Sequence, residues 1–483
     1  MNNVKKIIRM KRVRNKGKAL LTGLFLLPML AMAQSPDAAK ITRHEFSIQQ
    51  AVDYATKNNV NVKNALIDVQ LQEQVNREVT ANAYPQINAN IGTTYNPAVA
   101  TQVLPNFISP STYQVLIDQG VKDGNGNPIV MPNDFGFIAA QFGTRFSASA
   151  GISLNQILFD GQVFVGLMAR DATMRFSKKN AEVTEEIIKA NIYKIYYQLV
   201  VSRTQVELLE ANISRFEKLL HDTREIYKAG FTEQLDVDKV NVQLTNLQTE
   251  RRKVLNTISN GYYGLKVLMG MPVSDELVLT DKLSDEQIKE GILEAANFSY
   301  ENRKEYQYAQ IGKELFGYNV RRYNLSRLPT VSLNANYAKN AQRDKWNFFG
   351  KGDWFNIASV NLNIHVPIFN GYYTRSKMQQ AKLELQKANN QIDALKLSID
   401  NEVAVAKNNF TSAIASMDFQ KKNMELAEKI YQQTKKKYEM GTGSQTEINT
   451  AQTDLKSAQT NYITALYDAI VAKVDFMKAT GKL

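Results

Sequence analysis

The side chains that most often carry enzyme chemistry are few in this sequence. It contains no cysteine and only three histidines, His44, His221 and His365, which are far apart along the chain. A metal site needs clustered ligands, and a catalytic triad needs a base beside its nucleophile, so neither is indicated. The phosphate-binding pattern G-x-x-x-x-G-K-[ST] is also missing. We therefore expect no enzyme activity, no cofactor and no resident metal.

One short segment is similar to a calcium-binding loop. Asp123-Gly-Asn-Gly-Asn127 places oxygen-bearing side chains at alternate positions, as such loops do. The glutamate that would close the loop with both of its oxygens is missing, however. A turn formed by Gly and Asn is therefore the better interpretation.

The rest of the chain is dominated by two very long segments with helical composition. Residues 372–440 contain neither Gly nor Pro, and as one helix they would form a rod of roughly 100 Å. Gly441 ends this rod and Gly230 ends a similar one, and each is followed by a returning helix, to Gly481 and to Gly270. The turn glycine and the final glycine are 40 residues apart in both halves. The sequence therefore predicts two helical hairpins in an internal duplication.

Apolar residues in the first rod recur at spacings of three and four. A repeat near 3.5 residues predicts that the rod winds around a neighbouring helix in a left-handed supercoil. The repeat consists of Ile188, Ile192, Ile195, Leu199, Val206, Leu209, Ile213, Phe216 and Leu220.

Four segments of about ten residues alternate between an apolar side and a side rich in Ser and Asn. They begin near Ile87, Phe146, Val331 and Val360, and each borders on a predicted helix or on another of the four. Transmembrane β-barrel strands alternate in this way, although strands of soluble sandwiches do so too. Four strands cannot close a barrel, and lipid does not tolerate an open sheet edge. We therefore expect several protomers to contribute strands to one barrel. Three copies would give a twelve-stranded barrel that continues as a twelve-helix tunnel.

The segments between these elements give weaker signals. Residues 46–83 read as one helix, residues 96–143 as a long loop, and residues 338–355 as a connection that contains both tryptophans. Residues 273–324 read as a polar segment with short helical stretches such as 285–296. Aromatic residues lie at the strand ends, as an interfacial belt requires; these are Tyr84, Tyr95, Phe159, Tyr337, Trp346, Trp354 and Phe369.

The N-terminus is typical of a secretory signal peptide. Eight basic residues precede an apolar segment, residues 19–32, which ends in Ala31-Met32-Ala33. The alternative, a membrane-anchoring helix, is disfavoured because the segment is short and contains Pro28. Cleavage after Ala33 would lower the net charge from +12 to +4 by removing eight basic and no acidic residues. The high charge of the whole chain therefore gives no support for nucleic-acid binding.

These patterns predict four parts of the chain. Residues 1–33 form the signal peptide and residues 34–272 a first repeat with a helix, two strands and a long helical hairpin. Residues 273–327 form an equatorial segment, and residues 328–483 a second repeat with two strands and a hairpin. The repeats differ mainly by 34 additional residues in the first strand connection.

With both halves in view, the mature chain resembles the TolC-like outer-membrane efflux and secretion channels. No single motif is specific, but the duplicated order of the motifs is. The resemblance rests on residues 46–59, on the strand exits Leu158-Phe-Asp-Gly161 and Ile368-Phe-Asn-Gly371, and on the helix tips Tyr227-Lys-Ala-Gly230 and Tyr438-Glu-Met-Gly441. It implies a homotrimer with a barrel in the outer membrane, a helical tunnel through the periplasm, and an equatorial belt around the tunnel.

The resemblance also implies a gate at the periplasmic tips. Tyr438 and Asp236 occupy the positions whose side chains bond between helices to hold the tunnel shut. Glu447 and Thr450 occupy the two carboxylate positions of the constriction ring, so one carboxylate is retained as Glu and the other is lost. Gly443 stands where some members have a basic residue that completes the closing network.

The tip turns are the surface expected to dock an adaptor protein that links the channel to an inner-membrane pump. The residues assigned to this surface are Tyr227, Gly230, Gly441, Thr442 and Ser444. The predicted function is thus a passive conduit for efflux or type I secretion, with outer-membrane lipid around its barrel. An alternative is a periplasmic coiled-coil adaptor or tether, which would share the export signal and the heptads but would not need four alternating strands. For Glu447 the alternative is a solvated carboxylate at a helix start, favoured by the helix dipole.

Overall fold

The structure is a computed structural model that describes residues 42–282, 288–289 and 298–483. The predicted signal peptide lies outside these residues, and so does the predicted helical stretch 285–296 apart from residues 288–289. All elements below belong to the unit Arg43–Leu483.

Eight helices account for most of the described residues of this unit. They are α1 (Ile48–Asn58), α2 (Val60–Ala81), α3 (Ile108–Asp118), α4 (Gly161–Lys228), α5 (Gln234–Met269), α6 (Lys304–Leu325), α7 (Tyr373–Glu439) and α8 (Gln445–Ala479). A 3₁₀ turn, Tyr300–Asn302, precedes α6. The strands are β1 (Arg43–Phe46), β2 (Gln86–Tyr95), β3 (Thr101–Pro105), β4 (Phe137–Gln141), β5 (Phe146–Phe159), β6 (Glu276–Leu279), β7 (Thr330–Arg343) and β8 (Phe355–His365).

The two predicted helical hairpins are confirmed. The outgoing helices α4 and α7 have 68 and 67 residues, and the returning helices α5 and α8 have 36 and 35. At 1.5 Å per residue, α4 and α7 are each about 100 Å long. A mainly α fold that carries one four-stranded sheet therefore agrees with the predicted fold class.

All four long helices end in the same way, which is the clearest structural mark of the duplication. Gly230, Gly270, Gly441 and Gly481 adopt left-handed conformations with φ of 83°, 71°, 74° and 69°. Each glycine N–H donates to the carbonyl three residues earlier, and the next N–H donates to the carbonyl five residues earlier. This pair of bonds is the Schellman motif, which satisfies the last carbonyls of a helix and favours glycine at the left-handed position.

Strands β2, β5, β7 and β8 form one antiparallel sheet in that order. Directly paired residues share a face, and the register places the apolar residues of all four strands together. One such row is Ala89, Ile152, Tyr337 and Ala358. A row of the opposite face consists only of amides: Gln86, Asn155, Asn334 and Asn361. The predicted division into an apolar and a polar face is therefore confirmed.

The prediction of one helix over residues 46–83 is wrong in detail. Phe46 lies in β1, which pairs in parallel with β6. Ser47 then forms a capping box with Gln50 and starts α1. Asn59 has an extended ψ of 132°, and its side chain accepts hydrogen bonds from the N–H groups of Asn61 and Val62. The helix therefore stops and restarts at Asn59 because its amide caps a new helix.

Residues 96–143, expected to be a loop, contain a small folded element. Strands β3 and β4 pair beyond the end of the β2–β5 pair, and α3 lies between them. The turn predicted around Asp123 is confirmed, because its carboxylate accepts hydrogen bonds from the N–H groups of Asn125 and Asn127. The 34-residue difference between the repeats therefore includes regular structure.

Two further boundaries differ from the expectation. Strand β7 continues to Arg343 and β8 begins at Phe355, so the connection with both tryptophans shrinks to residues 344–354. The 22-residue helix α6 occupies the end of the segment 273–324, which was expected to have only short helical stretches, and continues to Leu325. Its apolar residues are spread around the helix, so the apolar pattern along the sequence was weak there.

A joint between the end of each returning helix and a preceding part of the chain is also duplicated. Asn59 donates its side-chain amide to the carbonyl of Leu268, near the end of α5, at 2.6 Å. Arg303, which is 1% exposed, donates to the carbonyl of Ala479, at the end of α8, at 2.7 Å. Leu268 and Ala479 are 211 residues apart, the same offset as Gly270 and Gly481.

None of the helices in the described part of the chain combines the length and the apolar composition of a membrane-spanning helix.

We predict that Gly270→Ala destabilises this joint. A methyl group at residue 270 would overlap the carbonyl oxygen of Asn58, and the φ of 71° is strained for alanine. We expect a loss of roughly 1–3 kcal/mol in the free energy of unfolding, seen as a lower unfolding midpoint in detergent. Gly264→Ala is the matched control, since Gly264 lies inside α5 with nothing within 4 Å of its added methyl group. An equal loss in both variants would contradict the role of the close approach.

Candidate functional site

The candidate site is formed by the two hairpin tips, where α4 turns into α5 and α7 turns into α8. At the first tip the N–H of Gly230 donates to the carbonyl of Tyr227 at 2.9 Å. At the second tip the N–H of Gly441 donates to the carbonyl of Tyr438 at 3.0 Å. The turn glycine N–H and the tyrosine carbonyl therefore form the same hydrogen bond at both tips.

The turn of the second tip is held by more hydrogen bonds than the turn of the first. The carbonyl of Lys437 accepts hydrogen bonds from the N–H groups of Thr442 and Gly443 and from the Thr442 hydroxyl. A methyl group at residue 443 would lie 3.0 Å from the backbone nitrogen of Tyr438. A side chain there would meet the backbone of the preceding turn, so the turn as built favours glycine over the basic residue that the resemblance implies.

Glu447 is part of the N-terminal cap of α8. The Ser444 hydroxyl accepts a hydrogen bond from the Glu447 N–H at 3.2 Å, and the Glu447 carboxylate accepts one from the Ser444 N–H at 3.3 Å. This reciprocal pair is a capping box, and a carboxylate in the first helical turn also interacts favourably with the helix dipole. Within one protomer Glu447 therefore stabilises the helix start.

Glu447 and Thr450 project to the same exposed side of α8, because they are three residues apart on a helix. The Thr450 hydroxyl donates to the carbonyl of Thr446 at 2.9 Å. The opposite side of α8 carries Ile448, Ala451 and Leu455, which are buried against the other helices. The side with Glu447 and Thr450 is thus left open to face another protomer or a lumen.

Asp236 lies in the first turn of α5 and is held by its own hairpin. Its carboxylate accepts a hydrogen bond from the Thr232 hydroxyl at 2.8 Å, and the Lys239 ammonium lies 3.3 Å away. The hydrogen bond from Thr232, and secondly the contact with Lys239, lower the pKa of Asp236 below its usual value. The carboxylate is therefore ionised and already paired within one chain.

Tyr438 is half-buried near the end of α7, against the apolar cluster beneath the tips. Burial raises the pKa of its hydroxyl, and the neighbouring Thr223 of α4 offsets part of this rise. Asp236 is close enough to add to this rise through its negative charge. The structure thus brings Tyr438 and Asp236 to the same tip, and within one chain each has a nearer partner.

The apolar cluster beneath the tips joins the two hairpins. It draws residues from all four long helices: Leu209, Phe216, Leu219, Leu220, Val237, Val240, Leu244, Leu247, Tyr431, Ile448, Ala451 and Leu455. Leu209, Phe216 and Leu220 belong to the predicted 3.5-residue repeat, so that repeat does face neighbouring helices.

Three polar contacts between helices accompany this cluster, and the sequence did not reveal them. Asn212 of α4 donates its amide to Gln459 of α8 at 2.8 Å, and both are buried. The Arg215 guanidinium lies 3.3 Å from the Glu428 carboxylate of α7 and stacks over a tyrosine ring. Lys456 and Glu250 connect α8 with α5 at 2.5 Å. Polar residues next to the apolar repeat were the available signal, but their partners are too far away in sequence to be inferred.

The solvent-facing surface of the tips is more apolar than the assigned docking residues indicate. Phe231, Leu235 and Met440 are 84%, 56% and 70% exposed, and Tyr227 is 42% exposed. Exposed apolar side chains of this size at one end of a protein are typical of a protein interface.

Among the described residues, no cluster of three or more His, Asp or Glu side chains could hold a metal ion.

Comparisons with known proteins agree with the resemblance. The sequence profile of the family "Outer membrane efflux protein" matches residues 299–482. Outer membrane protein TolC of Vibrio cholerae is 22% identical over 341 residues, which cover 69% of this chain and 77% of that protein. Outer membrane efflux protein BepC of Brucella suis is 22% identical over 344 residues, which cover 70% and 73%.

The fold of a solved structure is similar over most of the chain. The crystal structure of CusC, described as forming a transmembrane channel, superposes with a TM-score of 0.70 at 14% identity. The match covers 90% of this chain and 92% of CusC. Together the comparisons confirm the relationship that the duplicated motifs predict, and the matched proteins are described as outer-membrane proteins or channels.

We predict that Asp236→Asn loosens the first tip at neutral pH. The folded-state pKa of Asp236 is lowered, so its contribution is present above the ordinary carboxyl pKa near 4 and is lost as pH falls through the folded value. Because the side chain is partly exposed, we expect a loss of up to about 1 kcal/mol. Hydrogen exchange in residues 228–240 should be faster in the variant at pH 7 and equal to wild type near pH 2.5. A difference that persists at the lower pH would contradict this.

Proposed function

We propose that this TolC-like outer membrane efflux protein is the outer-membrane channel of an efflux or type I secretion system. It is a passive conduit that lies in the outer membrane and extends into the periplasm. The observation that carries the proposal is the sheet of β2, β5, β7 and β8. It has one mainly apolar face, one face rich in amides and hydroxyls, and two unpaired edges.

The two unpaired edges support a trimer. Strands β2 and β8 each pair on one side only within the chain. Unpaired amides cost several kcal/mol each in lipid, so β8 of one protomer pairs with β2 of the next until the barrel closes. Three protomers give twelve strands, with the apolar faces outward and the amide rows inward.

The four long helices follow the strands into the periplasm. Strand β5 leads through Asp160 into α4, and β8 leads through residues 366–372 into α7. In the trimer these helices form the tunnel, and the equatorial segment with both termini surrounds it. The predicted parts of the mature chain, residues 34–272, 273–327 and 328–483, then correspond to two repeats and a belt.

The tips are the gate and the docking surface in this proposal. The exposed side of α8 turns inward, so that three copies of Glu447 form a constriction ring, with Thr450 one turn further along. Tyr438, Asp236 and the Gly443 turn set the closed position of the tips. An adaptor protein, which couples the channel to an inner-membrane pump, docks on the turns formed by Tyr227, Gly230, Gly441, Thr442 and Ser444.

Planar bilayers test the conduit and its ring together. We expect discrete conductance steps from a detergent-extracted protein whose native mass is that of a trimer.

Glu447→Gln should weaken block by a multivalent cation such as hexamminecobalt, because carboxylates in a narrow ring bind cations together. Gln at residue 447 can still accept the hydrogen bond from Ser444, so the helix cap is kept. A soluble protein without steps would refute the channel, whereas unchanged block in a working channel would remove only Glu447 from the lumen.

Neighbouring residues of β8 test which face meets lipid. Leu362 lies on the apolar face and Asn361 on the amide face. An arginine at residue 362 should cost roughly 2–4 kcal/mol near the middle of the membrane and lower the yield of heat-resistant trimer. Asn361→Arg is the matched control and should assemble normally. If Asn361→Arg were the more damaging of the two, the faces would be reversed.

A further inference from the structure

Two basic residues lie on the mainly apolar face of the sheet, at the end away from the long helices. Lys339 pairs with Ala150 and Asn356, and Arg343 pairs with Phe146. Since paired residues share a face, both basic side chains project on the same side as the apolar rows. The following inference rests on the proposed function, in which this face meets lipid.

The position of these residues along β7 matches the edge of a membrane. From Val331 to Ala341 the residues of β7 on this face are apolar except for Lys339, and Ala341 among them is buried. Ten residues of a strand tilted by about 40° span roughly 26 Å, close to the apolar band of an outer-membrane barrel. Lys339 is therefore just inside the upper edge of that band and Arg343 just beyond it. A lysine in this position extends its ammonium to the headgroups.

A chain of aromatic rings crosses the sheet at the same level. The ring of Tyr95 stacks on Phe146 at 4.8 Å, and Phe146 meets Trp346 at 6.1 Å. The chain continues through Phe348, 5.1 Å from Trp346, to Trp354 at 6.3 Å. Tyr and Trp are enriched where a membrane meets water. This level is therefore marked as the outer interface independently of the two basic residues.

Arg343 is held in place, whereas Lys339 is exposed. The Arg343 guanidinium donates to the carbonyls of Gln342 and Asp353 at 3.0 and 2.8 Å, and Gly352 leaves room for it. No ion pair of Lys339 occurs among the described residues, and its side chain lies open on the surface. Residues 339–354 contain four basic and two acidic residues, so this rim is positively charged.

We infer that Lys339 and Arg343 form a binding site for the phosphate groups of outer-leaflet lipids. A cation inside a hydrophobic surface needs an anionic partner at the interface, and a phosphate monoester accepts hydrogen bonds from both ammonium and guanidinium groups. The exposed ring of Trp346 packs beside the upper part of the acyl chains. Three protomers provide three such sites around the barrel, which anchor it at a fixed depth.

Lipid retention in nanodiscs tests this site. The full-length trimer is placed in phosphatidylcholine nanodiscs that contain either diphosphorylated lipid A or the same lipid A with its phosphates removed. Native mass spectrometry then counts the lipid A molecules that stay bound. We expect wild type to retain the phosphorylated lipid preferentially. Each neutralised charge should weaken retention roughly fivefold, so Lys339→Gln and the double variant with Arg343→Gln should show successive losses.

Two further variants separate charge from structure. Arg343→Lys keeps the charge and should retain lipid even if the bonds to the loop are altered. Lys422→Gln is the matched control, because Lys422 is an exposed lysine of α7 about 70 Å along the helix from the sheet. Equal retention of both forms of lipid A by wild type, or unchanged retention in Lys339→Gln, would overturn the inference. A trimer that failed to enter nanodiscs at all would instead refute the proposed channel.

Discussion

An open sheet edge cannot remain in lipid, and this constraint determines how the protomers assemble. The four strands of one protomer satisfy the backbone hydrogen bonds of β5 and β7 on both sides, but those of β2 and β8 on one side only. Because water is excluded from the membrane core, the missing partners must be the strands of other protomers. Assembly of several protomers, proposed above to be three, then follows from the unpaired backbone groups of these two strands.

The same constraint explains why the protein contains both strands and very long helices. Strands that close into a barrel can enclose a polar lumen, whereas hairpins that each bury an apolar side can extend that lumen through an aqueous compartment. The passage from β5 to α4 needs only Asp160, which caps the helix by accepting a hydrogen bond from the N–H of Gln162. The two kinds of structure are therefore joined with almost no intervening chain.

Much of this architecture could be predicted because it depends on local patterns. The absence of Gly and Pro from residues 372–440 predicted the length of the second rod, and the alternation of β8 predicted its faces. Asn59 was missed because an amide that caps a new helix resembles any other polar helix residue. The 3.5-residue repeat indicated that α4 faces other helices. The amide pair Asn212–Gln459 was not predictable, since 247 positions separate its members. The capping box of Ser444 and Glu447 was visible as S-x-x-E, although the resemblance gave the glutamate another role.

The two roles of Glu447 are compatible, and together they suggest how the tip is built. A capping box uses one carboxylate oxygen at the helix start, which fixes the side chain close to the axis of α8. Glu447 also lies with Thr450 on the exposed side of α8. Stabilising the turn and, in the proposed ring, presenting charge to the lumen are therefore compatible with one position of the side chain. The tip gains a positioned carboxylate at no further conformational cost, because the helix start already orders it.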